Sequence, residues 1–204
     1  MKDLLIIHPE DPSTVFLKGI YSDHNDKTVI SGGTTKARLR KLIENHKQVI
    51  MCGHGSPSGL FSVGQFPDSG LYIIDDSMLQ SLRDKTNSIF IWCNADQFVN
   101  RHSLKGFCTG MFISELSEAI YFDFWDVEQE QIDSSNVGFS SVFASHLDET
   151  LDILYRNVVA GYGFLAKTNP IAGYNVERFY ITLHEKAKED VRSKLVKTNR
   201  TDVA

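Results

Sequence analysis

Cysteine is scarce, three in 204 residues, and no two of the three form a C-x-x-C pair. An odd number of thiols in a chain with no export signal argues against a disulfide framework. A zinc site drawn from Cys52, His54, Cys93 and Cys108 would lack the paired spacing such sites use. No metal and no cofactor are therefore expected. Long apolar runs are missing as well. The first, over residues 4–7, is too short for a signal-peptide core, and nothing later approaches a membrane span, so the expectation is a cytoplasmic protein with no membrane contact. The net charge is −5, and no lysine and arginine cluster is dense enough to follow a phosphate backbone. Lys36, Arg38, Arg40 and Lys41 read as the wet face of a helix, which makes nucleic acid an unexpected partner. No G-x-S-x-G elbow exists to carry a serine hydrolase.

What is there is ordinary core material. With 42% apolar and 23% charged residues, the chain can fill one sizeable core, and a single domain over residues 1–204 is expected. Apolar runs at 4–7, 49–52, 88–92 and 106–114 read as strands, the first of them fully buried, with a shorter strand at 28–31. Thr34 or Thr35 can cap a helix that presents Ala37, Leu39, Leu42 and Ile43 at helical spacing. A second helix is expected over 78–85, capped from Asp75, Asp76 or Ser77. Residues 60–74 are rich in turn formers and read as a hairpin excursion. Residues 138–154 read as a long amphipathic helix with a break near Asp148, and residues 174–196 as including another. The spans 14–22 and 115–124 stay open. Strands alternating with helices give an α/β fold: a three-layer sandwich, mainly parallel, with helices on both faces.

Two of the strands stop on chemistry. The run Val49, Ile50, Met51, Cys52 leads into Gly53, His54, Gly55, and the run Ser88, Ile89, Phe90, Ile91, Trp92 leads into Cys93. In a parallel sheet, ligands bind beyond the carboxyl ends of the strands. If these two strands are neighbours, an imidazole stands beside a thiol at that edge. The thiolate is the nucleophile, and a free cysteine with a pKa near about 8.5 needs a proton acceptor at neutral pH, which His54 supplies. Glycine at Gly55 lets the backbone approach a substrate carbonyl, and its amide with that of Cys93 can form an oxyanion hole. No third member is evident from spacing. His8, behind the first strand, could share the edge, but it reads more readily as a surface-loop histidine. Gly53, Gly55 and Gly59, with Asp75 or Asp76 further on, imitate a dinucleotide fingerprint, but no helix follows the third glycine to receive a pyrophosphate.

An apolar strand ending in Ile50-Met51-Cys52-Gly53-His54-Gly55, followed by one ending in Ile89-Phe90-Ile91-Trp92-Cys93, resembles the caspase-like cysteine peptidases. That group includes caspases, gingipains, clostripain, legumain, separase and the CHAT domains. The resemblance implies a caspase-like α/β fold and a cysteine endopeptidase with a His54/Cys93 dyad, working through an acyl-enzyme with oxyanion donors at Gly55 and Cys93. The chain departs from the group at Trp92, where many members carry a small residue. Asn94, Ala95 and Asp96 do not match the caspase signature, so aspartate specificity is not carried over. By the resemblance, the strand after the nucleophile and the loop behind it shape the primary pocket, which points to Ser114, Glu115, Asp123 and Asp126. The carboxylates of Glu115, Glu118, Asp123 and Asp126 would suit a lysine or arginine side chain. A peptide or protein substrate is thus expected, with room for a regulatory protein partner. The alternative is a catalytically idle caspase-like module that acts through binding or signalling.

Overall fold

Leu4, Leu5, Ile6 and Ile7 are all buried, and they divide by parity. Leu4 and Ile6 enter one apolar cluster, and Leu5 and Ile7 enter another on the opposite face. This is the pattern of a strand covered on both sides. The computed structural model describes residues 4–183. Its strands are β1 (Leu4–Ile7), β2 (Lys27–Ile30), β3 (Gln48–Cys52), β4 (Gly55–Ser56), β5 (Gly59–Phe61), β6 (Tyr72–Ile74), β7 (Asn87–Ile91), β8 (Gly106–Thr109) and β9 (Phe179–Thr182). Its α-helices are α1 (Lys36–Asn45), α2 (Leu79–Leu82), α3 (Ala95–Arg101), α4 (Leu116–Tyr121), α5 (Gln129–Ser145), α6 (Leu151–Leu165) and α7 (Pro170–Val176).

A six-stranded sheet runs in the order β2-β1-β3-β7-β8-β9. All its pairings are parallel except β8 with β9. On one face, Leu17 and Ile20 of a 3-10 segment (Pro12–Ile20) pack with Phe139 and Phe143 of α5 and with Leu154, Val158 and Tyr162 of α6. On the other face, Leu39 and Ile43 of α1, Leu82 of α2 and Phe98 and Val99 of α3 close the second core. The molecule is thus an α/β sandwich with a mostly parallel central sheet and helices on both faces. The small antiparallel sheet β4-β5-β6 is the hairpin excursion expected from the turn-rich segment. No helix among the described residues is long and apolar enough to cross a membrane.

Local signals account for most boundaries. The Thr35 side chain accepts from the Arg38 amide and starts α1, and Asp75 does the same for Ser77 ahead of α2. Five readings need correction. The strand expected over 106–114 stops at Thr109, opposite Phe179 where β9 begins; beyond it the Gly110 amide donates to the Arg178 carbonyl and the Gly110 carbonyl accepts from the Asn94 amide. The helix expected over 138–154 begins nine residues earlier, at Gln129 (138 against 129), where Gln131 supports a capping box. It ends at Ser145, and α6 starts afresh at Leu151, so the break near Asp148 is real. The helix expected over 78–85 is a single turn, Leu79–Leu82. Behind α7 the chain returns as β9, a strand that an apparently helical tail concealed; the rest of that span, from His184 on, lies outside the described residues.

His8 is the fifth correction. It is not a surface histidine but 1% exposed, with Nδ1 at 2.8 Å from the Tyr21 hydroxyl and Nε2 at 3.2 Å from Thr14 Oγ1. Burial lowers its pKa from 6.5 to about 4, with the Lys18 charge adding to the shift. The folded protein therefore holds fewer protons here than the unfolded chain between pH 6.5 and about 4, and stability is lost as pH falls through that window. Urea titrations at pH 7 and pH 4.5 should show a drop that is smaller in His8→Gln by roughly 2–3 kcal/mol. An equal drop in both proteins would mean that His8 is protonated in the fold.

Candidate active site

β3 and β7 pair in parallel with Cys52 opposite Ile91. Two residues further along each chain stand His54 and Cys93. Adjacent strands lie about 4.8 Å apart, so the register alone brings the two together at the carboxyl edge of the sheet. The link past the strands is held by the Gly53 amide, which donates to the Ile91 carbonyl at 3.1 Å. Gly53 has φ +140°, a conformation that side chains disfavour, so the turn delivering His54 needs glycine.

On the β7 side, the chain turns sharply over 92–94. Asn94 adopts φ +63° and its amide donates to Gly110 at 3.0 Å, while Ala95 donates back to Trp92 at 3.1 Å and opens α3. Trp92 is 2% exposed, packs edge-on against Phe90 and Phe98, and donates from Nε1 to the Ser56 carbonyl at 3.1 Å. Its indole occupies the space a side chain at Gly55 would need. A Cβ there would lie 2.3 Å from Trp92 Cδ1 and 2.7 Å from the Gly59 carbonyl. Gly55 and Trp92 therefore belong together, and the bulky residue before Cys93 is accommodated in the core.

His54 is gripped from a direction that spacing did not reveal. Its Nε2 is 2.6 Å from Ser13 Oγ and 3.4 Å from Asp11 Oδ1. Asp11 in turn accepts from the Ser13 hydroxyl at 2.6 Å and from the Ser13 amide at 3.0 Å. These Ser13 bonds, more than the nearby imidazole, hold the Asp11 carboxyl below its usual range. Ser13 has one hydroxyl hydrogen, and the carboxylate takes it. Its oxygen can then meet Nε2 only as an acceptor, so Nε2 carries the ring proton and Nδ1 bears the lone pair. Nδ1 makes no hydrogen bond among the described residues. The same accounting excludes a serine triad, in which the acid would hold the imidazole nitrogen remote from the serine.

Cys93 is half-buried. Its thiol points to the Phe112 carbonyl, 3.7 Å away, and makes no hydrogen bond to His54. Burial, followed by the Glu118 charge, raises its pKa to about 11. The thiol so placed is protonated at neutral pH. A narrow cavity of about 20 Å³ is lined by His54, Cys93, Phe16, Trp92, Phe112 and Ser114, among others. Phe16 stacks on Phe112 at 6.2 Å and forms part of the wall.

The expected pocket residues divide. Ser114 lines the cavity, and both Ser114 and Glu115 line a cleft beside it. Asp123 and Asp126 line neither; they are exposed beyond the end of α4. Glu118 spends one carboxylate oxygen on the Ser114 amide at 2.8 Å and the Glu115 amide at 3.2 Å, bracing the turn. At Gly55, antiparallel alternation is informative. The Phe61 amide donates to the His54 carbonyl at 2.9 Å, so Gly55, opposite Leu60, falls at the position whose amide faces away from β5. The Cys93 amide donates to no carbonyl among the described residues. Cys52 and Cys108 are buried in different cores, on opposite faces of the sheet, and no group of three or more metal-ligating side chains gathers among the described residues.

Asp11 and Ser13 were the functional candidates missed. The available signal was modest: Asp-Pro-Ser is a turn-and-cap sequence just behind a buried strand, and β1 is the direct neighbour of β3. Comparison with protein-family models, with curated proteins and with solved structures finds no match to this chain.

Proposed function

We propose that the chain is a caspase-like cysteine endopeptidase, with Cys93 as nucleophile and His54 as general base and then acid. The observation carrying this reading is the β3/β7 register, which sets His54 and Cys93 at equivalent positions beyond two paired strands, on one cavity. In the reaction, Cys93 Sγ attacks the scissile carbonyl carbon while its proton passes to His54 Nδ1. The amides of Gly55 and Cys93 receive the oxyanion. Collapse of the tetrahedral intermediate breaks the C–N bond, and the departing amine takes the proton from His54. Water, deprotonated by His54, then hydrolyses the thioester and restores the thiol. Asp11 and Ser13 are positioning residues that keep the ring in the tautomer with a basic Nδ1. A peptide or protein substrate, a regulatory protein partner and cytoplasmic residence belong to the same proposal.

The pKa of about 11 at Cys93 favours deprotonation during attack over a preformed thiolate–imidazolium pair. It also supports a second reading, an idle module in which the thiol stays protonated and function lies in a binding surface. A small reagent such as iodoacetamide meets a protonated thiol in both cases. A peptidyl acyloxymethyl ketone separates them, because it occupies the site before it reacts. The expected result is saturable alkylation of Cys93, slowed at least about 100-fold in His54→Ala and about 10-fold in Ser13→Ala. Non-saturating labelling, indifferent to His54, would establish the idle module.

A further inference from the structure

The residue that supplies a scissile carbonyl carries its side chain on the atom next to the carbon that Cys93 Sγ attacks. That side chain must enter the space adjoining the nucleophile, and the narrow cavity that touches both Cys93 and His54 is that space. The wider cleft beside it, where Glu115 and Asp133 stand, touches neither of them. Selection of the first substrate residue is thus left to the cavity walls.

Those walls are apolar, and their polar groups are already engaged. Leu17, Ile91, Trp92 and Phe112 are each 6% exposed or less. Among the described residues, no aspartate, glutamate, lysine or arginine belongs to the lining. Thr14 Oγ1 donates to the Asp11 carbonyl at 3.1 Å, Ser114 Oγ to Glu118 at 3.3 Å, and Trp92 Nε1 to Ser56. A charged side chain buried here would find nothing to replace its water. Size is as restrictive as polarity. A volume of about 20 Å³ holds roughly one water-sized group, which admits a methyl and not the side chain of leucine.

One ring sets the width. Phe16 and Phe112 stack with centroids 6.2 Å apart and planes 12° from parallel. Phe112 is held from behind by Phe139 at 5.0 Å and Phe179 at 6.3 Å, whereas Phe16 is half-buried on the 3-10 segment. The backbone of that segment is tied to α5, because the Ser140 hydroxyl donates to the Phe16 carbonyl at 2.7 Å. Shortening the Phe16 side chain therefore widens the cavity without releasing the segment.

We propose that this cavity is the primary specificity pocket, that it takes the methyl group of an alanine, and that Phe16 keeps larger side chains out. The assignment rests on the peptidase reading and deepens it. It sets aside the lysine or arginine that the carboxylates between 115 and 126 suggested.

Four acetylated tripeptidyl acyloxymethyl ketones, identical except that glycine, alanine, leucine or arginine precedes the ketone, test this on the wild-type protein, Phe16→Ala and His54→Ala. The half-saturating concentration reads the fit to the pocket, and the limiting rate of Cys93 alkylation reads the chemistry. Alanine should half-saturate at a concentration about fivefold lower than glycine and at least about 30-fold lower than leucine or arginine. In Phe16→Ala the leucine ketone should bind at least about tenfold more tightly than in the wild type, with Phe16→Leu in between. A gain of affinity is a result that a misfolded variant does not give. A leucine or arginine ketone that saturates the wild type as readily as alanine, or a leucine ketone indifferent to Phe16→Ala, would overturn the assignment; a limiting rate that still falls in His54→Ala would leave the peptidase reading in place. Alanine preference together with a limiting rate indifferent to His54 would sink the peptidase reading and keep the pocket. Saturation by none of the four would end both.

Discussion

Cys93→Ala and His54→Ala should each lower peptide turnover by about 10⁴-fold or more, while Cys108→Ala leaves it within a factor of about two. The contrast follows from where the three side chains stand. Cys93 is half-buried on the cavity, and among the described residues its thiol makes a weak contact at 3.7 Å to the Phe112 carbonyl, so removing the sulfur takes little from the fold. Among the described residues the His54 side chain bonds to Ser13 and Asp11, on the same open edge. Cys108 is 1% exposed in the core on the far side of the sheet from Cys52, and losing it costs about 1 kcal/mol of stability without touching the cavity. Turnover on a peptide library, read beside the thermal midpoint of each variant, checks this. Comparable losses in all three, tracking stability, would assign the cysteines a structural role.

Gly55→Ala should destabilise the protein by about 3 kcal/mol, and most of that loss should depend on Trp92. The added methyl would lie 2.3 Å and 2.6 Å from Trp92 Cδ1 and Cγ, atoms of a ring held by Phe90, Phe98 and a bond to Ser56. Neither that ring nor the Gly59 carbonyl at 2.7 Å can give way cheaply. Trp92→Ala alone should cost about 3–5 kcal/mol. In the double variant the space vacated by the indole receives the methyl, so the two losses should fall short of their sum by about 1–2 kcal/mol. Urea unfolding of the four proteins measures this coupling. Strict additivity would show that the ring moves aside and that the need for glycine lies elsewhere.

The pairing of Gly55 with Trp92 gives the departure at position 92 a physical basis. The bulky residue before Cys93 sits in the core, against the glycine that follows His54. Substituting either member alone disturbs the edge that carries both His54 and Cys93.

Much of the fold was legible because its signals are local. Four consecutive apolar residues at 4–7 announce a strand buried on both faces, Thr35 announces the start of α1, and the turn formers between 60 and 70 announce the small antiparallel sheet. His54 and Cys93 stood out because each closes an apolar run, a property of a few neighbouring positions. β9 was not legible, since its four residues become a strand only by pairing with β8, seventy or more positions earlier. His8 carried no local mark of burial. Its environment is made by Thr14 and Tyr21, which the 3-10 segment folds back over it.

By itself, then, the sequence determined the alternation of strands and helices, the caps, and the two reactive residue types at strand ends, all consequences of periodicity and hydrogen bonding within a few residues. Only the tertiary structure decided that β3 and β7 are neighbours in register, that Asp11 and Ser13 set the His54 tautomer, that burial holds the Cys93 thiol at a pKa of about 11, and that Phe16 stacks on Phe112 at the cavity wall. Tautomer and desolvation depend on which groups surround a side chain in space, and those groups come from segments that meet only when the chain has folded.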